Sequence, residues 1–321
     1  MNTLLAQKTS ATPLDETQLR VPAPTRRPAS REKRREQRTG WLMLSPAVVL
    51  LILFILVPAV LSFGLAFTNA RLISPHPATF VGLDNFARLF TDETFYRSLL
   101  NVAYFAIIVV PLQAGVALLM AILINTKIRG VTFFRTLYFL PVVTSMVVVS
   151  LLWMFIYSQD GLLNEIISKV SFGTLQGADW LNNPSTALPA IMMMSVWQGA
   201  GFHMIIWLSG LQTISAELYE AADLDGVSRW QRFKYIIWPG LTSTRNLILV
   251  TITIQALSLF TQTNVMTQGG PLDSTTTIVY QAVRSGFKQQ ETGYAAAISV
   301  VFFALVLIIS AIQRYLTREK S

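Results

Sequence analysis

A short acidic stretch inside a very apolar chain carries the strongest functional signal. It is an alanine-rich segment ended by a glycine and followed by an aromatic residue and a proline: Glu220, Ala221, Ala222, Asp225, Gly226, Phe233 and Pro239. Ser215 is a suitable N-cap, and alanine forms helix without bulk, so another surface can approach closely. Gly226 is suited to a left-handed helix stop, and a second helix, 230–238, is expected to end at Pro239. The alternative is an ordinary helix–glycine–helix connection.

Two sets of uncharged polar residues lie on the apolar segments that flank this stretch. They are Gln255, Ser258 and Gln262 after it, and Ser195, Gln198, Gly199 and Phe202 before it. In each set the polar groups recur at helical spacing, on one face of a predicted helix. A glutamine facing lipid would leave its amide unpaired at a cost of several kcal/mol, so both faces point inward. Helix–helix hydrogen bonding explains either set alone. The pairing of two sets favours a pathway for a polar substrate.

Residues for catalysis or metal binding are missing from the sequence. The 321 residues include no cysteine and two histidines, so neither a thiolate site nor a histidine metal cluster is expected. His203 alone is more typical of a hydrogen-bonded structural histidine. A phosphate-binding P-loop, a nucleophile elbow and an HExxH motif are all absent. We therefore expect no catalytic residue, no metal and no cofactor on this chain.

The composition predicts a polytopic membrane protein. Hydrophobic residues make up 52% of the chain and charged residues 13%, about half the charged fraction usual for a soluble domain. Runs near the ~20 residues that a bilayer needs predict an all-α fold with six transmembrane helices. The six spans are 41–69, 99–124, 134–157, 188–211, 247–266 and 294–314. Pro58 is expected to kink the first span.

The rest of the chain divides around these spans. Residues 1–40 are predicted to form a disordered basic tail, in which 31–38 either bind anionic headgroups as a short helix or stay solvated. The membrane domain is 41–315, its charged loop is 212–242, and 316–321 form a short tail. Thr91-Asp92-Glu93 is typical of a helix start. Residues 274–287 have helical spacing typical of an amphipathic segment on the membrane surface.

The acidic stretch resembles the EAA loop of ABC importer permeases, close to the maltose-type sugar permeases. The resemblance extends over about 40–315 and includes Gly82-Leu83-Asp84-Asn85-Phe86, Asn101, Phe134-Arg135 and Phe139-Leu140-Pro141. In that family the loop is a coupling helix that docks into a cleft on a separate ATPase. The resemblance implies that Glu220 to Gly226 transmit motion, that Glu220 and Asp225 pair with ATPase groups, and that Phe233 and Pro239 hold the second helix against the spans. It also implies that the fourth and fifth spans line the translocation path.

The resemblance further implies the partners of the chain. They are a second permease, usually non-identical, two ATP-binding subunits that hold ATP and Mg, and an extracytoplasmic solute-binding protein. The location implied is the bacterial inner membrane, and the substrate class is sugars and oligosaccharides.

The charge distribution predicts the orientation. With a cytoplasmic N-terminus, all but six of the 25 lysines and arginines fall in the tails, in 127–135 and in 229–245. By the positive-inside rule, both termini and the acidic stretch then face the cytoplasm. The six on the outer side are Arg71, Arg88, Arg97, Lys169, Arg284 and Lys288. The net charge of +8 is explained by topology, so no nucleic-acid partner is required.

Two other functions are alternatives to a sugar permease for a chain of this composition. An ion-coupled secondary carrier of a polar solute usually keeps buried charges in its spans, whereas the central parts of these spans contain no Asp, Glu, Lys or Arg. The missing charges also disfavour a strongly charged substrate. A membrane enzyme or scaffold needs a catalytic constellation or an equivalent motif, and the sequence contains none.

Overall fold

The computed structural model describes residues 29–125, 130–174 and 177–316. In these ranges the regular structure is α-helical, with one isolated β-bridge between Thr68 and Phe80. The helices are α1 Ala29–Leu51, α2 Val57–Leu65, α3 Asp84–Leu89, α4 Glu93–Ile124, α5 Val131–Val143, α6 Met146–Ile156, α7 Leu162–Val170, α8 Ala187–Gln212, α9 Ala216–Leu224, α10 Arg229–Arg232, α11 Trp238–Gly240, α12 Thr242–Leu257, α13 Thr261–Met266, α14 Ile278–Val283 and α15 Thr292–Leu316. Residues 1–28 and 317–321, on which the predicted tails fall, lie outside the described residues.

The first helix begins well before the predicted span. The prediction of a disordered tail to residue 40 is wrong for residues 29–40, because these are part of α1. A π-helical turn, Ile52–Leu56, connects α1 to α2 immediately before Pro58. Proline lacks the N–H that the preceding turn needs, and a widened turn accommodates this loss. The proline therefore alters the helix where the sequence indicated.

The described residues up to Ala59 and those from Val60 onward form separate compact units. In the window from Glu36 to Leu65, none of the hydrophobic helix is buried by the chain itself. An apolar helix of this length is stable against lipid or against another membrane subunit, and not in water.

In the described part of the chain, five helical segments are long and apolar enough to cross a membrane, and a bent pair raises the number to six. The predicted third span, 134–157, is not one straight helix. α5 and α6 meet at an angle of 99° around Thr144 and Ser145, both of which have extended backbone angles. Pro141 in the last turn of α5 removes a backbone donor, and the Thr144 hydroxyl bonds the Leu140 carbonyl at 3.1 Å.

The centre of the second unit is built on α4 and α8, which pack along each other and against α12. At the α8–α5 crossing, a Cβ on Gly201 would collide with the Tyr138 carbonyl oxygen, so only glycine permits this approach. Trp207 is buried between α8 and α4, where its indole nitrogen donates to the Ala114 carbonyl oxygen at 3.1 Å. This packing fixes the positions of α4 and α8 relative to each other. Four of the seven predicted path residues, Ser195, Gln198, Gly199 and Phe202, are in α8.

The opposite end of the helices from α9 is closed by α3, α14 and the N-terminus of α15. Asp92 caps α4 by accepting from the Thr94 backbone N–H at 2.8 Å, which confirms the predicted helix start. Its second oxygen accepts from the Tyr294 hydroxyl at 2.6 Å. The predicted amphipathic segment, 274–287, is helical only from Ile278. Ile278 and Tyr280 are buried against α4 and α15, so this segment is packed on protein rather than laid on a membrane surface.

Candidate functional site

A cavity of about 490 Å³ lies among α4, α5, α6, α8, α12 and α13. The structure brings all the residues predicted to line a substrate path to its wall: Ser195, Gln198, Gly199, Phe202, Gln255, Ser258 and Gln262. The remaining lining residues are apolar except for Gln113, His203 and Thr261. Among the described residues, no Asp, Glu, Lys or Arg lines the cavity. Its wall can therefore donate and accept hydrogen bonds without presenting a charge.

Gln113 and His203 form a polar pair that the sequence analysis did not assign to this site. The Nδ1 atom of His203 lies 3.0 Å from the Gln113 amide nitrogen and 2.9 Å from the Gly199 carbonyl oxygen. Gly199 has no side chain, and a Cβ there would collide with Gln113, so the glycine makes room for the pair. Gln113 is in the middle of an apolar helix. An amide that faces lipid is destabilising, so a lone glutamine in such a helix indicates a polar contact inside the protein and could have been identified on that ground.

Two buried polar atoms at the cavity lack a hydrogen-bond partner in the described part of the chain. They are the Ser195 hydroxyl and the Nε2 atom of His203. The prediction of a structural histidine accounts for Nδ1, which is hydrogen-bonded, but not for Nε2. A buried polar group without a partner is destabilising by about 1–3 kcal/mol, so groups of this kind are suited to a bound hydroxyl or water.

The polar residues of the fifth span reach the cavity by a different geometry from the one predicted. The sequence placed Gln255, Ser258 and Gln262 on one face of a continuous helix, but α12 ends at Leu257 and α13 begins at Thr261. Phe260 has φ −138° and ψ −58°, outside the helical region. The prediction of one helical face is therefore wrong, although all three side chains still line the cavity.

The acidic stretch forms α9, which follows α8 after three residues. Ser215 occupies the N-cap position, as predicted, although its side chain makes no capping hydrogen bond. Gly226 has φ +66°, and the Gly226 and Val227 N–H groups donate to the carbonyls of Asp223 and Ala222. This is a Schellman motif, which needs a residue that tolerates the left-handed conformation. The predicted glycine stop is confirmed.

The second helix of this segment begins earlier and ends later than predicted. Ser228 caps α10 through a capping box with Gln231. A π-helical turn, Phe233–Ile237, leads into α11, which includes Pro239 and ends at Gly240. As at Pro58, the widened turn lies before a proline. Only Leu241 separates this helix from α12, so its movements act directly on the fifth span.

The predicted coupling residues differ in exposure. Glu220, Ala221, Asp225 and Gly226 are exposed, as is Pro239, whereas Ala222 is buried. Phe233 is half-buried and packs against the cluster that contains Trp207 and Ile248. The exposed set is thus available to a partner, and Phe233 packs the segment against the spans.

One ion pair and one exposed leucine in this segment were not found from the sequence. Asp223 of α9 pairs with Arg232 of α10, which fixes the two helices to each other. Burial raises the pKa of the neighbouring Tyr219 phenol, while the charge of Arg232 lowers it. Leu224 is 90% exposed beside Asp225, and Trp230 is 69% exposed. Large apolar side chains next to carboxylates at the end of a membrane protein are typical of a protein–protein contact.

Comparison with known proteins gives one family for most of the chain. Residues 94–321 match the family of the binding-protein-dependent transport system inner membrane component. The lactose transport system permease protein LacF of Rhizobium radiobacter is 33% identical over 293 residues, covering 90% of this chain and 97% of the relative. The diacetylchitobiose uptake system permease protein NgcF of Streptomyces coelicolor is 31% identical over 315 residues, covering 94% and 89%.

Solved structures agree with the fold. A bacterial ABC transporter involved in the import of the acidic polysaccharide alginate has a chain that superimposes with a TM-score of 0.78 at 24% identity. The superposition covers 90% of this chain and 98% of that chain. The same fold is present in the alginate transporter bound to its periplasmic protein, with a TM-score of 0.78.

Proposed function

The chain belongs to the family of inner-membrane components of binding-protein-dependent transport systems, and we propose that it is the permease subunit through which an ABC importer moves a neutral sugar or oligosaccharide. The apolar helices of the described residues support a multi-pass membrane protein. The family name states that the transport system depends on a binding protein, which supports a solute-binding protein as a partner. The observation that carries the proposed substrate is the uncharged polar cavity between α4, α8 and the broken fifth span.

The chemistry of the cavity suits hydroxyl groups. Glutamine amides supply both donors and acceptors, and a serine hydroxyl supplies either, which matches the mixed character of sugar hydroxyls. Phe202 and Phe105 add aromatic surface at the same cavity. The volume of about 490 Å³ is within the range of ligand pockets, roughly 300–1,000 Å³. These features support a saccharide that fits between the two polar sets.

The missing charge supports a neutral saccharide. A buried carboxylate or phosphate needs a cationic partner, and none lines this cavity. The named sugar relatives transport lactose, diacetylchitobiose and arabinooligosaccharides. The alginate importer, whose substrate is acidic, resembles this chain at 24% identity and supports the fold alone.

The driving force is proposed to come from separate ATP-binding subunits. The sequence contains no P-loop, so we place ATP and Mg on those partners. α9 is proposed to dock into a cleft on one ATPase subunit, with Glu220 and Asp225 pairing there and Leu224 as an apolar anchor. We further propose a second permease subunit, two ATPases in the assembly, and cytoplasmic N- and C-termini. The excess of lysine and arginine on the α9 side supports this orientation.

Transport measurements test the function. A strain that lacks this chain is complemented with it, and uptake of labelled lactose, diacetylchitobiose and arabinooligosaccharides is measured with and without the partner ATPase and the binding protein. We expect uptake of one of these sugars, abolished when either partner is deleted and insensitive to collapse of the proton gradient while ATP is maintained. Uptake that survives loss of the ATPase but stops with an uncoupler would instead identify an ion-coupled carrier.

A further inference from the structure

The break in the fifth span has no local cause in the sequence. Between Thr242 and Gln268 there is neither proline nor glycine, the residues that usually interrupt helices. Yet α12 ends at Leu257 and the chain is non-helical at Leu259 and Phe260. A tertiary contact must therefore hold the segment open.

The contact comes from a residue 18 positions later in the chain. The Thr277 hydroxyl donates to the Leu259 carbonyl oxygen at 2.6 Å. Thr277 is fully buried and also caps α14, accepting from the Tyr280 backbone N–H at 3.2 Å. The Tyr280 ring stacks on Phe260 with a centroid distance of 6.5 Å. Both residues of the break, Leu259 and Phe260, are thus held by contacts with the start of α14.

Thr277 is the last residue of a loop, 267–277, that is hydrogen-bonded to Asn101 and Tyr280. Asn101 of α4 donates through its amide to the carbonyls of Asp273 and Thr276, at 2.9 and 3.0 Å. The Tyr280 hydroxyl donates to the Gln268 carbonyl at 2.7 Å. Leu272 and Asp273 both have positive φ, which persists only where surrounding contacts determine the backbone. The loop is therefore a fixed support rather than a flexible connection.

We infer that Thr277 is a positioning residue for transport, whose hydroxyl holds the break open so that Ser258 and Gln262 line the cavity. The hydroxyl supplies the donor that the interrupted helix cannot give to the Leu259 carbonyl. Without it, a buried carbonyl is left unpaired and the segment from Ser258 to α13 loosens. The inference rests on the proposed function only in treating the cavity as the substrate path.

This chain contains no native cysteine, so in the assembled, purified complex a cysteine introduced into it is the only thiol of this chain and allows a direct test. Thr263 in α13 is fully buried and is not part of the cavity wall, so a T263C reporter is expected to react slowly with a thiol reagent. Adding T277V removes the hydroxyl and keeps the side-chain shape. Loss of one buried hydrogen-bond donor corresponds to an increase in the modification rate of about tenfold. T277S keeps the hydroxyl and is expected to stay within about twofold of the parent.

The matched control is Thr276, the adjacent threonine. It is also fully buried and bonds the Gly269 carbonyl at 3.1 Å, but it makes no bond to residues 258–262. T276V therefore loosens the loop without removing the Leu259 contact and is expected to change the T263C rate by less than about threefold. Equal rates in T276V and T277V, or no change in T277V, would overturn the inference.

Sugar uptake forms the second measurement. In the chain without the reporter, T277V is expected to reduce uptake about tenfold and T277S to restore it, at equal amounts in the membrane. If T277V does not assemble, T277A is used with the same reporter and the same criteria. A complex that transports no sugar while T277V still accelerates T263C modification refutes the proposed substrate and keeps the positioning role. Normal uptake in T277V with an unchanged T263C rate refutes the positioning role alone.

Discussion

Replacing Gly226 tests whether the left-handed end of α9 is required to couple the permease to its ATPase. Gly226 has φ +66°, and a Cβ there meets no atom of this chain within 4 Å. A side chain therefore costs only backbone strain, about 1–2 kcal/mol for most residues and more for a β-branched one. Since 1.4 kcal/mol is tenfold, the native end of α9 should lose about 5- to 30-fold in population with alanine and more with valine.

A series at this position separates strain from contact. Asparagine tolerates the left-handed conformation, alanine less well and valine least. We expect ATP-dependent uptake to fall in the order Gly226, G226N, G226A and G226V, with the amount in the membrane unchanged. Uptake, ATPase stimulation by the loaded binding protein, and co-purification of the ATPase are measured on each variant.

Two results of this series would contradict the proposed role of the end of α9. If G226V transports and co-purifies as the parent does, the end of α9 is not part of the coupling. If G226N is as defective as G226V, the partner excludes any side chain at this position, and backbone conformation is not the cause.

Three further predictions follow from the described contacts. E220K reverses an exposed charge on α9, so ATPase co-purification and uptake should fall while insertion is unchanged, and E220Q should be milder. Gln198→Leu should reduce uptake by about fivefold to tenfold, the value of one hydrogen bond, with α9-dependent ATPase binding intact. G201A brings a Cβ against the Tyr138 carbonyl and should lower the thermal stability of the detergent-solubilised protein, whereas Gly115→Ala, in open space, should not.

The positions of most spans were predictable because their signal is local. A run of about 20 apolar residues needs no tertiary information. The end of α9 was equally predictable, because glycine is the usual residue at a left-handed helix end and Gly226 follows an alanine-rich, helix-forming segment. Asp92 was found for the same reason, since an N-cap aspartate is read from its immediate neighbours.

The features that sequence reasoning missed depend on contacts between distant residues. The apolar run around Thr144 reads as one helix, although the 99° bend lies next to Pro141 and to the crossing of α5 over Gly201. The break after Leu257 depends on the hydrogen bond from Thr277, and no proline or glycine near Leu257 indicates a break in the sequence. Gln113 was overlooked because its pairing with His203 joins two helices 90 residues apart in sequence. The seven predicted path residues nevertheless fell at one cavity, because amide and hydroxyl groups avoid lipid in any packing.

The link between α9 and the cavity lies in the way the segment is attached. Its two ends are the C-terminus of α8 and the N-terminus of α12, and both helices line the cavity. Near these ends Gly210 lets Thr244 approach, and Ile214 covers Gly240, so the two helices are in close contact there. A partner that displaces α9 therefore moves both walls that carry the polar groups. The far end of the fifth span is held by Thr277, so such a displacement is resisted at one end and driven at the other. The break at Leu259 and Phe260 lies between these two ends, next to Ser258 and Gln262 in the polar wall of the cavity.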